Sequence, residues 1–552
     1  MTVFILGAGV MQVPAIRAAR ELGWTVVAAD ANPDAPGADL ADRFLPIDLK
    51  DTEGLAAAAR GIRAEFGLDG VFTAGTDFSA SVAWVARELG LPGIPFEAAL
   101  KASDKLEMRE AFAAAGLPSP RYAAARAADD PAIAAAGLSF PLVVKPADSM
   151  GARGCRSVGD PSELAAAVMA ALPYSRSGRA IIEEYIDGPE FSIDALVVPG
   201  GGVDGDEIRI RGIADRHIFF PPYFVELGHT MPSAYPPEVI DEVLRVFRLG
   251  VRALGIGVGA AKGDIKYSPS RGIAVVGEIA ARLSGGYMSG WTYPYASGID
   301  VTREALLLCV GLSLDRGSAR DSGSGIAADR GWVSAERAFI SIPGKVASVE
   351  GCVEAERMLY IKQLFLRVSP GDYVAFPSNN VEKCGNVISQ APTREAAVAA
   401  AESAARSLHI RLAPAERVTE AFLESGGQAA AAAWPPLAFT AEGAAARELA
   451  DMPEYGEDTG PDSRPVAPFA LAQSVGGLDW SGRGYAESAR LAFALGGASL
   501  AEAQTADGSA SSRLLAGRFW RALARGGFQA ALYVLDTEAL YLRKPSGRGA
   551  PR

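Results

Sequence analysis

The stretch that decides the predicted fold reads Lys262-Gly-Asp-Ile-Lys266, a short polar segment, and then Val275-Val-Gly-Glu-Ile-Ala-Ala-Arg-Leu-Ser-Gly-Gly286. Apolar and polar residues alternate in both parts as in β-strands, and the Ser-Pro-Ser-Arg-Gly sequence between them is typical of a turn. Such a hairpin places Asp264 and Glu278 on neighbouring strands, within reach of one cation. Single carboxylates suit Mg²⁺, which completes its coordination with water and phosphate oxygens. The alternative is an ordinary surface hairpin with scattered charges.

The composition predicts a soluble, cytoplasmic protein of several domains. The chain has 552 residues, of which 49% are hydrophobic and 21% charged, so it can form several apolar cores. The net charge of -12 argues against nucleic acid or an anionic membrane as a partner. Four cysteines without a CxxC pair and only three histidines predict no disulfide framework and no histidine-rich metal site. The apolar run from Val3 to Val10 lacks a basic leader, and no run is long enough to span a bilayer.

The first 30 residues have the pattern strand, glycine turn, helix, strand, which opens a βαβ unit. Gly7 and Gly9 suit a tight turn, and Asp30 could accept a ribose hydroxyl of a dinucleotide. However, Gln12 replaces the third glycine of the GxGxxG motif, and a lone GxG is a weak signal. We therefore predict a Rossmann-like turn that binds no nucleotide.

Two lysines further along indicate an anion-binding site. Lys105 lies in the first turn of a helix predicted over residues 99–117, where the helix dipole disfavours a cation without an anionic partner. Lys145 ends an apolar strand and is followed by a polar loop containing Gly151 and Gly154, whose backbone N–H groups could approach phosphates. This is no Walker A motif, because the lysine precedes the glycines. The alternatives are a solvated lysine and a plain hairpin turn.

A third segment, Ala180-Ile-Ile-Glu-Glu-Tyr-Ile186 followed by Glu190, completes a recognisable order of motifs. With Ser103-Asp-Lys105, Lys145 and its loop, Asp264, Glu278 and Arg282, the chain resembles the ATP-grasp enzymes, such as biotin carboxylase, carbamoyl-phosphate synthetase, the D-alanine ligases and the L-amino-acid ligases. The resemblance implies a mixed α/β and α+β fold. We expect a Rossmann-like preATP-grasp domain (1–95), a two-lobed ATP-grasp domain (96–312, lobes 96–185 and 186–312), a C-terminal subdomain (332–412) and an unassigned extension with linkers (413–552).

The resemblance also implies the roles of individual residues. ATP would be held by Lys105, Lys145, Ser149, Gly151, Gly154, Glu183, Glu184, Ile186 and Glu190, with the two lysines on its phosphates and the glutamates and Ile186 around its nucleoside. Mg²⁺ (or Mn²⁺) would be bound by Asp264 and Glu278. Arg282 would steady the transferring phosphoryl group and act with Lys145 and Glu278 as the catalytic set. Ala280 stands where the family usually has a metal-binding Asn, a departure shared with bicarbonate-using relatives and one that puts a second metal in doubt.

Substrate contacts are expected from two further segments. Arg216, Glu226 and His229 lie in an aromatic-rich stretch that resembles the acceptor-facing segment of amino-acid ligases, and Ser284, Gly285 and Gly286 let the backbone approach a ligand. The alternative is that the aromatic residues belong to the core and His229 is a satisfied loop histidine. The extension after residue 413 is unassigned, and a docking or oligomerisation element, including a homodimer, is left open.

The sequence therefore predicts an ATP- and Mg²⁺-dependent ligase that activates a small carboxylate, such as an amino acid, as an acyl phosphate and joins it to an amine. A carboxylase that phosphorylates bicarbonate is the main alternative, and Ala280 favours it. A nucleotide-binding regulatory protein without turnover and a nicotinamide-dependent dehydrogenase are weaker alternatives.

Overall fold

A computed structural model describes residues 1–202, 205–314, 331–425, 434–439, 443–452, 468–497 and 517–543. The sequence predicts a polar, glycine-rich linker at 315–331, an alanine run at 429–433 and an acidic, Pro/Gly-rich linker at 452–468. Apart from Gly331, Met452 and Pro468, these segments lie outside the described residues. No helix in the described ranges is both long and apolar enough to cross a membrane.

The first domain is a parallel sheet flanked by helices. Its strands pair in the order β3-β2-β1-β4, from β1 (Thr2–Leu6), β2 (Thr25–Ala29), β3 (Arg43–Leu45) and β4 (Gly70–Phe72). The helices are α1 (Val13–Glu21), α2 (Thr52–Phe66) and α3 (Ser79–Leu89). The predicted Rossmann-like architecture is confirmed.

The glycine turn after β1 is filled by the protein itself. Gly7 has φ +101°, and a Cβ there would lie 2.9 Å from the Gln12 side-chain amide, which donates to the Ala74 carbonyl. The Asp30 carboxylate accepts hydrogen bonds from the backbone N–H groups of Ala8 and Asn32, both at 2.9 Å. The glycine turn and the Asp30 carboxylate, which a dinucleotide would use, are thus already engaged in contacts within the protein.

A second, antiparallel sheet follows, with strand order β5-β8-β6-β7: β5 (Tyr122–Ala125), β6 (Leu142–Pro146), β7 (Arg156–Val158) and β8 (Ala180–Glu184). Its helices are α4 (Phe96–Lys101), α5 (Lys105–Ala114), α6 (Pro131–Ala134) and α7 (Leu164–Ala171). The predicted single helix over 99–117 is wrong. The helix is interrupted between Lys101 and Lys105. The Asp104 carboxylate caps α5 by accepting a hydrogen bond from the Leu106 N–H at 2.9 Å.

The remaining strands are β9 (Glu190–Gly202), β10 (Gly205–Phe219), β11 (Val225–Met231), β12 (Gly259–Ser268), β13 (Ile273–Ala280), β14 (Val333–Phe339), β15 (Gly344–Glu350), β16 (Ile361–Leu366), β17 (Tyr373–Val374), β18 (Gly385–Ala391) and β19 (His409–Leu412). Eight of them form one sheet in the order β13-β12-β9-β10-β11-β14-β18-β16, and three form a small sheet, β17-β15-β19. The large sheet therefore runs without interruption from the predicted second lobe into the predicted C-terminal subdomain. The sequence predicts strands around 338–342 and 364–368, but β14 and β16 each begin a few residues earlier, at Val333 and Ile361.

The later helices are α8 (Pro237–Leu254), α9 (Tyr293–Ser297), α10 (Val301–Cys309), α11 (Cys352–Arg357), α12 (Arg394–Ser407), α13 (Arg417–Glu424), α14 (Ala444–Ala450), α15 (Pro468–Ser474), α16 (Tyr485–Gly496) and α17 (Gly517–Arg543). The sequence predicts a helix from Thr393, as N-cap, to Leu408, and α12 confirms it: the Thr393 hydroxyl accepts a hydrogen bond from the Ala396 N–H at 3.2 Å. Residues of α16 and α17, among them Phe493 and Trp520, share one apolar core with Val387 of β18. The extension thus packs directly against the subdomain.

One buried ion-pair cluster joins the elements around the central cleft. The Glu183 carboxylate on β8 pairs with Arg109 Nε of α5 at 2.8 Å and with Lys145 Nζ of β6 at 2.7 Å. Arg109 and Glu183 are 0% and 1% exposed, and Arg109 Nη2 also donates to the Gly277 carbonyl of β13 at 2.6 Å. Burial by itself raises the pKa of the Glu183 carboxyl, but the two cations outweigh it and lower that pKa to about 2.

We predict that NAD(H) does not bind this protein, because the Gln12 amide fills the space above Gly7 through which a backbone would approach a pyrophosphate. The measurement is a titration of NADH followed by its fluorescence. A Gln12→Gly variant, which restores the third glycine, is the matched comparison. Saturable binding by the unaltered protein would contradict the prediction.

Replacing Glu183 by Gln is expected to lower the free energy of unfolding by about 3 kcal/mol at pH 7, because two buried cations lose their counter-charge. The folded-state pKa of Glu183 lies below its unfolded value of 4.5, at about 2. Its stabilising contribution is therefore complete above pH 4.5 and is lost as the pH falls towards 2. Urea unfolding at pH 7 and pH 3 should show a smaller difference between variant and parent at pH 3.

The control is Glu107→Gln, an exposed carboxylate on the same helix as Arg109, which should change the unfolding free energy by no more than about 0.5 kcal/mol. If Glu183→Gln behaves like this control at pH 7, the cluster does not contribute to stability in the way described.

Candidate functional site

A cavity of about 540 Å³ lies between the four-stranded antiparallel sheet (β5-β8-β6-β7) and the eight-stranded sheet. Both the first domain and the C-terminal subdomain contribute to its wall, through residues such as Met11 and Lys383. The structure brings together nearly all the predicted site residues here, namely Lys105, Lys145, Ser149, Gly151, Glu183, Glu184, Ile186, Glu190, Arg216, Glu226, His229, Asp264, Glu278, Arg282, Ser284, Gly285 and Gly286. Gly154 is the one predicted residue that does not line the cavity.

Asp264 and Glu278 face each other across the hairpin of β12 and β13, as direct partners in the strand register. A β-bulge follows Asp264, and a Cβ at Gly277 would lie 2.7 Å from the Asp264 carbonyl oxygen, so glycine is required there. Burial raises the pKa of the Glu278 carboxyl, but nearby lysines, with Lys105 Nζ 3.7 Å away, outweigh it and lower that pKa to about 2. The Glu278 carboxyl is therefore suited to remain ionised in this strongly cationic surrounding.

These two carboxylates fit a divalent cation that shares its coordination with a ligand. The Asp264 Oδ1 atom is buried and receives no hydrogen bond, although the Arg216 guanidinium lies 3.0 Å away. Within the described ranges, no group of three or more His, Cys, Asp or Glu side chains gathers as a metal site. One or two carboxylates completed by phosphate oxygens and water are typical of Mg²⁺. The arrangement suits such an ion better than a metal enclosed by protein ligands.

Lys105 and Lys145 provide positive charge opposite the hairpin. Lys105 is 7% exposed and its Nζ donates to the Ser149 carbonyl at 2.7 Å, which ties α5 to the glycine loop. Burial lowers the pKa of Lys145, but the Glu183 carboxylate outweighs it and raises that pKa, so the ammonium stays charged. Gly151 lines the cavity with φ +72°, whereas Gly154 turns the chain behind the loop, where a Cβ would lie 2.7 Å from the Tyr174 ring.

Glu184, Ile186 and Glu190 also line the cavity. Glu184 accepts hydrogen bonds from the Ser139 N–H at 3.0 Å and from Arg121 at 3.2 Å. Glu183, by contrast, uses both carboxylate oxygens on Arg109 and Lys145, as described above. Glu183 is therefore better placed to orient Lys145 than to contact an adenine ring.

Arg216 lies at the centre of a second charged cluster. Its guanidinium contacts Glu190, and it lies 2.5 Å from Glu226 Oε2 and 3.0 Å from Asp264 Oδ1. Burial opposes the charge, but these carboxylates outweigh it and raise the pKa of Arg216 well above its ordinary value. Arg216 thus links the predicted metal, nucleotide and substrate positions.

His229 is buried between two carboxylates. Its Nδ1 lies 2.9 Å from Glu336 Oε2 and its Nε2 lies 3.4 Å from Glu226 Oε2. Burial lowers the pKa of His229, but the two glutamates outweigh it and raise that pKa, which favours the imidazolium. His229 is thus a charged member of the site wall, held by Glu336 from strand β14.

The C-terminal subdomain supplies residues that the sequence reasoning missed. Lys383 Nζ donates to the Glu226 carbonyl at 2.9 Å, and Asn380 Oδ1 accepts from the Glu226 N–H at 2.8 Å. The Asn386 amide donates to Glu336. No local motif in the sequence marks these residues. In the structure Asn386 lies on β18, a strand that is buried over nearly all of its length.

Arg282 and Ser284 connect the hairpin to neighbouring elements. Arg282 Nε donates to the Thr76 carbonyl of the first domain at 2.8 Å. The Asp194 carboxylate, also missed from sequence, accepts from the Ser284 hydroxyl at 2.6 Å and from its N–H at 3.1 Å. Burial raises the pKa of Asp194 to about 6, because these hydrogen bonds only partly offset it. Asp194 therefore holds Ser284 at the cavity wall.

Comparison with known proteins agrees with this architecture. Family models match residues 16–93 as an ATP-grasp N-terminal domain, residues 138–290 as an ATP-grasp domain and residues 338–413 as L-amino acid ligase C-terminal domain 2. The uncharacterized protein y4rH of Sinorhizobium fredii is 25% identical over 375 residues, which are 67% of this chain and 73% of that protein.

Two further similarities extend the comparison. The carbamoyl phosphate synthase large chain of Thermus thermophilus is 28% identical over 326 residues, 56% of this chain but only 29% of that protein. The crystal structure of an L-amino acid ligase from Bacillus licheniformis aligns with a TM-score of 0.64 at 22% identity, covering 75% of this chain and 98% of that one. The matched family models confirm the predicted enzyme class, an ATP-grasp ligase, at the level of the superfamily. Together with the observed domains, these matches show that the chain carries an ATP-grasp N-terminal domain and an ATP-grasp domain.

Proposed function

We propose that this protein is an ATP- and Mg²⁺-dependent carboxylate–amine ligase that forms an acyl phosphate and ADP. The observation that carries the proposal is the pairing of Asp264 with Glu278 in one cavity with Lys105 and Lys145. Phosphoryl transfer requires positioning and charge neutralisation more than covalent participation by the protein. This set of side chains supplies both.

In the proposed complex, Lys105 and Lys145 bind the phosphates of ATP, and the loop from Ser149 to Gly151 covers them with backbone N–H groups. Asp264 and Glu278 hold Mg²⁺ or Mn²⁺, which when bound neutralises charge on the phosphate oxygens. Glu184, Ile186 and Glu190 contact the nucleoside. Glu183 acts on ATP through Lys145: its Oε2 lies 2.7 Å from Lys145 Nζ and orients the ammonium.

Arg282 is proposed to stabilise the γ-phosphoryl group as it moves to the substrate carboxylate. Its Nε donates to the Thr76 carbonyl and its Nη1 to the Leu283 carbonyl, both at 2.8 Å, so two neutral acceptors orient the guanidinium. The amine then attacks the acyl phosphate carbonyl and inorganic phosphate leaves. Exclusion of water by the covering loop protects the acyl phosphate from hydrolysis.

The substrate is proposed to be an amino acid or a similar small carboxylic acid. The match of residues 338–413 to an L-amino acid ligase domain supports this choice, because that region supplies Lys383 and Asn380 to the cavity. Arg216 and the His229 imidazolium offer positive charge to a carboxylate, and Glu226 offers negative charge to an ammonium group. Ser284, Gly285 and Gly286 provide backbone close to the reacting groups.

A carboxylase that phosphorylates bicarbonate is the second candidate. Ala280, at the end of β13, removes a metal-binding amide that the resemblance leads one to expect. The match of residues 338–413 to L-amino acid ligase C-terminal domain 2 favours the ligase instead.

Replacing Glu278 by Ala is expected to reduce ADP formation to background, because the variant loses one of the two carboxylates that hold the metal. Circular dichroism should show an unchanged fold. Glu354→Ala, an exposed carboxylate on α11, is the control and should retain ADP formation. Retained turnover in the Glu278 variant would contradict the metal assignment.

The substrate class can be tested with ATP, Mg²⁺ and hydroxylamine, screened against pools of carboxylic acids that include all the amino acids. Hydroxylamine converts an acyl phosphate into a stable hydroxamate, and ADP is measured in parallel. We expect a hydroxamate from one pool. ADP formed only with bicarbonate, without hydroxamate, would instead establish the carboxylase.

A further inference from the structure

Five aromatic side chains from three parts of the chain form one cluster beside the cavity. We call the rings of Phe220, Tyr223, Phe376, Trp434 and Trp480 the aromatic cluster. Ring centroids are 4.5 Å apart for Tyr223 and Trp434, 5.0 Å for Phe220 and Phe376, and 4.5 Å for Phe376 and Trp480. Phe376 and Trp434 are also in contact, at 5.4 Å. Both tryptophans belong to the extension after residue 413, beyond the matched family domains.

The cluster holds the turn between β10 and β11. Phe220 in this turn has φ +65°, a backbone conformation that aromatic residues rarely adopt, so the turn depends on contacts from outside to keep its shape. On either side of it, Ile218 and Phe224 line the cavity, and the Phe224 ring stacks on Tyr185 with centroids 6.4 Å apart. The turn therefore positions the wall next to the proposed nucleoside site.

The same turn also reaches the glycine loop. The Ser157 N–H donates to the Pro222 carbonyl at 2.7 Å, just after that loop. Four residues beyond Phe376, the Asn380 N–H donates to the Gly151 carbonyl at 2.9 Å. The rings of Phe376 and Tyr223 thus connect the extension to both the nucleoside wall and the phosphate loop.

We propose that Trp434 and Trp480 are positioning residues for ATP: they hold the Phe220–Tyr223 turn and Phe376 so that Phe224 and the glycine loop keep their binding geometry. Neither tryptophan lines the cavity, so each acts through its neighbours. The extension then contributes to nucleotide affinity in addition to packing on the subdomain. This inference rests on the proposed function, because it concerns ATP binding.

The test is calorimetric titration of the full-length protein with Mg²⁺ and the non-hydrolysable ATP analogue AMP-PNP. Trp434→Ala is expected to weaken binding about 2- to 10-fold, the range given by loss of one aromatic pair. Trp434→Phe keeps a ring against Tyr223 and should restore most of the affinity.

Tyr223→Leu removes the same contact from the other side, so its effect should not add to that of Trp434→Ala. Trp480→Ala should weaken binding through Phe376.

Phe493→Leu is the control, because this buried ring packs on Phe469 and Phe519 within the extension and does not belong to the aromatic cluster. It should lower thermal stability without weakening AMP-PNP binding. If Trp434→Ala and Trp480→Ala bind the analogue as the control does, the positioning role is overturned while the proposed function stands. If the unaltered protein does not bind the analogue, the proposed function itself fails and the inference with it.

Discussion

The geometry of the cavity depends on the buried carboxylate of Glu183, which is shared by Arg109 and Lys145. Two cations this close to each other repel, and neither could be buried without a common counter-charge. Once paired, Arg109 is free to donate to the Gly277 carbonyl, which lies beside Glu278 in the sequence. A single carboxylate thereby sets the relative positions of the phosphate-binding lysine and of the strand that carries a proposed metal ligand.

A second cluster of paired buried charges continues from the proposed metal-binding hairpin through the rest of the site. Arg216 contacts Glu190, Glu226 and Asp264, and Glu226 leads through His229 to Glu336. Alternating charges keep each buried group paired, so the site holds many ionised side chains without an isolated charge. Because Glu336 lies on β14, this cluster continues along the large sheet into the C-terminal subdomain. The proposed acceptor site is therefore built by two domains that a boundary drawn from sequence separates.

Several site positions could be predicted because their signals are local. Alternation along the hairpin is enough to bring Asp264 opposite Glu278, and a lysine at the end of an apolar strand indicates an anion nearby. The break before α5 was missed because Asp104 looked like part of a longer helix, although Asp is a strong N-cap residue. Arg109 and Asp194 were missed because their partners are Glu183 and Ser284, 74 and 90 positions away.

The order of the motifs, the Rossmann-like first domain and the hairpin with its two carboxylates could all be inferred from sequence, because strand alternation, turn residues and helix caps act over a few residues. The tertiary structure alone decided which charges neutralise one another, and that Lys383, Asn380 and Glu336 reach the same cavity as Glu226. It also decided that tryptophans of the extension pack on the turn between β10 and β11. Electrostatic pairing and ring packing depend on distance in space, and no spacing along the chain encodes that distance.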